Sequence, residues 1–411
     1  CTCKDGFTLM GTSCSPCELG KWKNESGVTS CTRCEDTLKG GITEFEGSMS
    51  QSSCICPRGF YDGGEGKCVE VKEGMNSEEV GMKLKSVFLE PGFWRTNEKS
   101  DDVRECPIPD ACIGGNKTDV CREGHKGHYC ATCKDGYSMD PFQICKKCTA
   151  TVVDSVLTVV AVVLVVVLVL GLNYLMKKKF GREGKGKAVL KRCKNGIKIM
   201  FASGQITAAL PTIIPAVALP KNFKAVVEAS QLLNMNLFTF VPMGCFTEEF
   251  SYYTKALALT VPVITAVGGL ITMGLARKRP HLFTAAIAIT YLTLPTITTT
   301  SFGLFPCEPF DDGTEMLRSD YEISCLENGR DVWVSYGYLM VGMFPVGVTL
   351  MYFVLLYRVK DKLKDDDRDN IEDIRGLIFL WEPYKRKFWW WEVFETARRL
   401  AMTGYLSTIQ P

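Results

Sequence analysis

Ala150-Thr-Val-Val-Asp154-Ser-Val-Leu-Thr158-Val-Val-Ala-Val-Val-Leu-Val-Val-Val-Leu-Val-Leu-Gly171-Leu-Asn-Tyr-Leu-Met176 decides how this chain is read. From Val156 to Leu172 there is no charged residue, and Thr158 is the one polar side chain. At 1.5 Å rise per residue, about 20 such residues cross a bilayer core. A strand runs only about 4 to 8 residues, so the length argues for a spanning helix. Lys177-Lys178-Lys179 comes directly after and reads as a stop-transfer signal that holds this end in the cytosol. The residues before the stretch are then expected outside, and the residues after it are expected to form a membrane bundle.

The residues before it agree. Of the 20 cysteines in 411 residues, sixteen lie ahead of residue 149, the density of a disulfide scaffold in an oxidising compartment. Cys1-Thr-Cys3-Lys-Asp-Gly6-Phe7 is echoed by Cys54-Ile-Cys56-Pro-Arg-Gly59-Phe60 and by Cys130-Ala-Thr-Cys133-Lys-Asp-Gly136-Tyr137. A glycine ahead of an aromatic residue is a tight-turn device, because glycine supplies positive φ. Cys14-x-x-Cys17, Cys31-x-x-Cys34 and Cys145-x-x-Cys148 recur around these units. Such pairs also match zinc-site spacing. Disulfides are the expectation here, since thiols facing outward oxidise. Their connectivity does not follow from spacing. No metal and no cofactor is expected. Both glycosylation sequons, at Asn24 and Asn116, fall in this part. Residues 69–91 hold no cysteine and are expected to form a short helix or strand insert, with Ser77 capping Glu78–Val87. The chain begins without methionine inside a cysteine motif and ends at Pro411 in an apolar segment, so a longer protein with a signal peptide upstream is expected.

Behind residue 149 the apolar segments predict six spans, at about 152–176, 197–219, 252–276, 282–305, 332–357 and 389–409. Proline interrupts several of them, which membrane helices tolerate because neighbours re-satisfy the freed backbone groups. The segments expected inside hold 21 Lys and Arg, against 4 in the two outside loops. That bias orients the N-terminus outward. The fold class is therefore a small disulfide-rich ectodomain, residues 1–149, on an α-helical transmembrane bundle, residues 150–411. Cys307 and Cys325 are expected to close an outer loop. Cys245 has no evident partner, and a small apolar role at the interface suits it as well as a bond. Cys193 is expected to be a cytosolic thiol, and the loop 220–250 reads as amphipathic.

Enzymatic signals are poor. The chain has three histidines, of which His125 and His128 read as turn residues, and no P-loop, kinase, Gly-x-Ser-x-Gly or His-Glu-x-x-His pattern. No catalytic residues are assigned. Ionisable residues in the last span carry more weight, because they are costly in a membrane. Spacings of three and four put Glu392, Glu395 and Arg399 on one helical face, with Arg398 adjacent and Glu395 expected to pair with Arg399. Together they are candidates for a gating element or an interfacial ion pair beside Trp389-Trp390-Trp391. Lys198 and Gln205 form a second, weaker set, with Lys198 expected to snorkel to the inner face. The acidic run Asp365–Asp373 lacks the spacing and turn glycine of a calcium loop and reads as a solvated linker.

The cysteine units resemble growth-factor-receptor-like, or ephrin-receptor-like, cysteine-rich repeats. Gly92-Phe-Trp94-Arg95 through Cys106, Cys112-Ile-Gly-Gly115 and Gly124-His-Lys-Gly127-His-Tyr-Cys130 resemble the module that joins such repeats to multi-spanning domains in protist and fungal proteins. Phe305-Pro-Cys307 to Cys325 and Glu382-Pro-Tyr384 to Gly404 resemble a transient-receptor-potential-like family. That resemblance implies a channel-like or sensor protein in the plasma membrane or another secretory-pathway membrane, passing cations in the channel case. The bilayer, an extracellular protein or glycan ligand, and further copies or subunits of an assembly are the expected partners. The net charge of +2 points to no partner class, and no nucleic acid is expected. A non-conducting receptor or adhesion protein, or a structural membrane subunit, is the alternative.

Overall fold

The structure, a computed structural model, describes residues 2–115, 120–139, 143–148, 196–209, 251–364 and 372–405, with isolated positions between them. Most of Ala150–Met176, together with Cys1, Asn116, Cys193 and the acidic run 365–371, lies outside the described residues. The chain divides into two compact units. The first is Cys1–Lys134 with Gln143–Cys145 and Pro309–Thr314; the second is Asp135–Phe142, Lys146–Glu308 and Glu315–Pro411.

The cysteine-rich unit has too few apolar residues for a large core, and it folds as a string of short antiparallel hairpins instead. Phe7–Met10 pairs with Ser13–Pro16, Lys21–Trp22 with Thr32–Arg33, and Phe60–Asp62 with Cys68–Glu70. Disulfides staple these hairpins in series: Cys3–Cys14, Cys17–Cys31, Cys34–Cys54, Cys56–Cys68, Cys106–Cys112, Cys121–Cys130 and Cys133–Cys145. Each Cys-x-x-Cys pair therefore sends its two sulfurs to different neighbours. The turn glycines Gly6, Gly59 and Gly136 have φ of 77°, 80° and 77°, as the motif requires. At Gly6 any side chain would also collide with the Gly47 carbonyl.

Two expectations need correction here. Of the two forms open to the insert the strand is found, Met75–Asn76 pairing with Phe88–Leu89; no helix covers 78–87, which holds one 3₁₀ turn at Leu84–Ser86. Ser77 is buried, and its hydroxyl donates to Phe60 O rather than capping a helix. His125 is no turn residue either. It is fully buried in the strand His125–Lys126. Its Nε2 accepts the Cys145 N–H at 2.9 Å, so Nδ1 carries the proton and donates to Cys130 O at 2.8 Å. A ring with both nitrogens satisfied thus joins two neighbouring disulfides.

In the helical unit Val160, Leu164, Leu168 and Gly171 are described as helical, and the first continuous helix described is α1 at 196–209. Then come α2, Tyr252–Ala276, and α3, Pro280–Phe302. Helix α4 runs Arg330–Arg358 and passes through a π-helical turn at Gly342–Val348 around Pro345. Helix α5, Trp391–Leu400, continues as a π turn over Ala401–Tyr405. Of the six expected spans, three helices are long and apolar enough to cross a membrane among the described residues: α2, α3 and α4, of 25, 23 and 29 residues. The first span falls largely outside the described residues, the second is described over 196–209 only, and α5 carries four ionisable residues within ten.

Helix α3 is the centre of this unit. Ile287, Leu294 and Ile297 pack against Met340, Phe344, Val348, Tyr352 and Leu356 of α4, together with Leu380, Trp381 and Leu400. Its hydroxyl side chains stay compatible with burial by bonding back along the helix: Thr299 to Pro295 O, Thr300 to Thr296 O and Ser301 to Ile297 O. Thr290 bonds across to the Tyr352 hydroxyl at 2.6 Å.

Candidate functional site

Proline within a helix removes the N–H that would bond the carbonyl four residues back. Pro295 of α3 frees the carbonyl of Tyr291 in this way. Arg399 Nη2 of α5 takes it at 2.8 Å, and the guanidinium lies 3.9 Å from the centre of the Tyr291 ring. One residue further on, Leu292 O accepts from Gln205 Nε2 of α1 at 2.9 Å. The freed carbonyl is thus the anchor of a polar network among apolar helices.

Glu392 is the network's acid and is fully buried. Its Oε2 accepts from Lys198 Nζ at 2.5 Å and from the Tyr384 hydroxyl at 2.8 Å. Lys198 also donates to Phe379 O at 3.0 Å and lies over the Phe379 ring at 4.4 Å. Its side chain is 13% exposed and is committed to Glu392. Arg399 and Thr396 are fully buried as well, so Glu392, Thr396 and Arg399 form the inward face of α5 at spacings of four and three. The pair expected between Glu395 and Arg399 is not formed. Glu395 holds Arg398 at 2.6 Å on the outer flank, because α5 turns Arg399 inward toward the proline-freed carbonyl. Among the described residues, Glu392 Oε1, Thr396 Oγ1, and Nε and Nη1 of Arg399 have no hydrogen-bond partner. Buried polar atoms of this kind are ordinarily satisfied by water.

The connection between α3 and α4 carries a three-stranded sheet of Cys307–Pro309, Glu315–Leu317 and Asp320–Ser324, with Cys307 bonded to Cys325. The tip of its first hairpin, Pro309–Thr314, belongs to the cysteine-rich unit. There Phe310 sits among Trp94, His128 and Tyr129, with ring centres 5.7, 4.6 and 5.5 Å away. The Arg104 guanidinium lies 5.0 Å over the Phe310 ring and is held by Asp102 at 2.6 Å. That hydrogen bond raises the Arg104 pKa, whereas burial lowers that of His128 and favours the neutral ring. Thr96 donates to Asp311 Oδ1 at 2.5 Å, and Thr314 Oγ1 lies 3.3 Å from His128 Nε2. Gly92-Phe-Trp94 stands out in the sequence, but nothing local announces Phe310 as its partner.

Cys245, which has no evident partner in the sequence, is bonded to Cys148 across 97 residues. The sixteen cysteines ahead of residue 149 therefore do not all pair among themselves. Asn24 is exposed, and His281 is exposed at the start of α3. The described part of the 220–250 loop is helical at Phe223, Val226, Val227 and Ser230. Among the described residues no cluster of His, Cys, Asp or Glu could hold a metal ion.

Residues 8–54 match a family model described as tyrosine-protein kinase ephrin type A/B receptor-like, and residues 103–148 match a domain of unknown function, DUF7630. Cysteine repeat modular protein A of Toxoplasma gondii is 21% identical over 401 residues, covering 86% of this chain. The chain spans 12% of the length of that relative. No solved structure matches. The chain thus carries an ephrin-receptor-like cysteine-rich domain ahead of helices long enough to cross a membrane, and it is similar to a cysteine-repeat modular protein over most of its own length.

Proposed function

We propose that this protein is a multi-spanning surface receptor whose cysteine-rich domain faces outward, engages an extracellular protein or glycan, and passes that engagement to the helices. The observation that carries the reading is Phe310. The chain between α3 and α4 contributes a hairpin tip to the cysteine-rich unit, where one ring is enclosed by three aromatic side chains and a guanidinium. A displacement of that unit then pulls on the connection Gly303–Gly329, which leads directly into both helices. Phe45 and Met49, 70% and 61% exposed, are first candidates for ligand contact. The excess of Lys and Arg in the inside segments supports the orientation, and the protein acts as one subunit of a larger assembly.

The test is hydrogen exchange on the full-length protein in bicelles, with and without an antibody fragment raised against the repeats. The expected result is altered protection in α3 and α4, lost in the Phe310→Ala variant. Protection that never changes in the helices would mean that the two units do not communicate.

A second reading is favoured by one observation: the partnerless atoms of Glu392, Thr396 and Arg399 lie deep among apolar helices. Hydrated, they would form part of a cation path, as the transient-receptor-potential-like resemblance implies. Purified protein in planar bilayers should then pass current, with conductance changed by Arg399→Gln. Silent bilayers across ionic conditions would remove this reading and leave the receptor standing.

A further inference from the structure

A cleft of about 760 Å³ opens between α2, α3 and α4. It lies within the range of roughly 300–1,000 Å³ common to small-ligand sites. Its body is apolar, formed by Val267, Ile271, Ile287, Met351 and Leu355. Its mouth is cationic, formed by Lys278, Arg279, Arg358 and Arg375. No Asp or Glu lines it. Among the described residues Lys278, Arg279 and Arg358 have no ion-pair partner. Leu275, also in the lining, is 65% exposed, so the cleft is open along the flank of α2.

The end of α2 sets one of these cations in place. Lys278, in the turn between α2 and α3, has φ of 50°, a conformation that L side chains rarely adopt. Glycine is the relaxed choice at such a position. The conformation is the left-handed cap that ends α2, where Arg279 N–H donates to Gly274 O and Lys278 N–H to Leu275 O. Here it sets a lysine at the mouth of the cleft.

We propose that this cleft holds an anionic phospholipid of the surrounding bilayer, with an acyl chain among the apolar side chains and the phosphate at Lys278, Arg279 and Arg358. Each half of the cleft matches one half of such a molecule. A soluble anion would leave the apolar body unfilled, and a zwitterionic lipid would leave the cations poorly matched. The proposal rests on the helices lying in a bilayer. It does not depend on whether the ectodomain binds a ligand.

The test uses full-length protein in vesicles of phosphatidylcholine with a minor fraction of phosphatidylserine, extracted gently and read by native mass spectrometry. Wild type should retain phosphatidylserine about tenfold above its share of the vesicle, given the attraction of each cation for anionic lipid. The triple variant Lys278→Gln/Arg279→Gln/Arg358→Gln should lose that preference while still inserting. Lys278→Gly is the second variant: it relieves the backbone, so it should melt no lower than wild type and yet retain several-fold less phosphatidylserine. Retention in proportion to the vesicle, or selectivity unchanged in both variants, would overturn the proposal. So would displacement of the lipid by glycerophosphoserine at matched concentration, which would mark a site for a soluble anion. Failure of the protein to float with the vesicles would overturn the membrane reading as well, and is thereby distinguished.

Discussion

Lys198→Met should destabilise the helical unit by about 3–5 kcal/mol, the usual cost of removing one partner from a buried ion pair. Glu392 is fully buried, and Lys198 supplies its shortest bond. Without Lys198 the carboxylate retains the Tyr384 hydroxyl on Oε2, while Oε1 has no partner among the described residues. A buried charge in that state is expensive because the surroundings cannot replace water. The double variant Lys198→Met/Glu392→Leu should recover most of the loss, since apolar replacement of a whole buried pair is often close to neutral. Urea unfolding in bicelles, run as a double-mutant cycle, measures the coupling. Single and double variants of equal stability would show that the two side chains do not act as a pair.

Removing the Cys148–Cys245 disulfide should have an effect of similar size by a different route. The bond closes a 97-residue loop, and the chain-entropy estimate for such a loop is about 4.7 kcal/mol. The same estimate for the six-residue separation of Cys106–Cys112 is only about 2.2 kcal/mol. Paired Cys→Ser variants of the two bonds, compared by thermal unfolding under oxidising conditions, should therefore differ clearly, with the Cys148/Cys245 variant the less stable. Non-reducing peptide mapping checks the pairing itself, and a Cys148 peptide linked to any other cysteine would contradict it.

Much of the scaffold is legible because it obeys local rules. Gly6, Gly59 and Gly136 precede aromatic residues and take positive φ, since a turn of that kind excludes most side chains. Apolar runs of the right length predict α2, α3 and α4 within a few residues. The insert at 69–91 stays open between helix and strand in the sequence because Ser77 with acidic residues after it imitates a helix start; the strand form is found, and the Ser77 hydroxyl is committed to Phe60 O. The candidate site is half legible. Helical spacing puts Glu392 and Arg399 on one face, but it also admits Glu395, which stays on the flank with Arg398. Pro295 carries a signal that could have located the site: it frees the Tyr291 carbonyl, and a buried free carbonyl needs a donor.

The disulfide density of the first unit, the turn positions, the apolar helices behind it and the charge asymmetry between their connections are written in the residue order. Each of these depends on residues a few positions apart, where covalent geometry and hydrophobic period leave little choice. It took the folded chain to show that Cys245 bonds Cys148, that Glu392 meets Lys198 rather than a neighbour on its own helix, that Arg399 caps a carbonyl on α3, and that Phe310 completes an aromatic cluster with Trp94, His128 and Tyr129. These pairs lie 97 to more than 200 residues apart. Local propensity does not reach that far; which groups meet depends on which faces the packing of the helices and hairpins brings together.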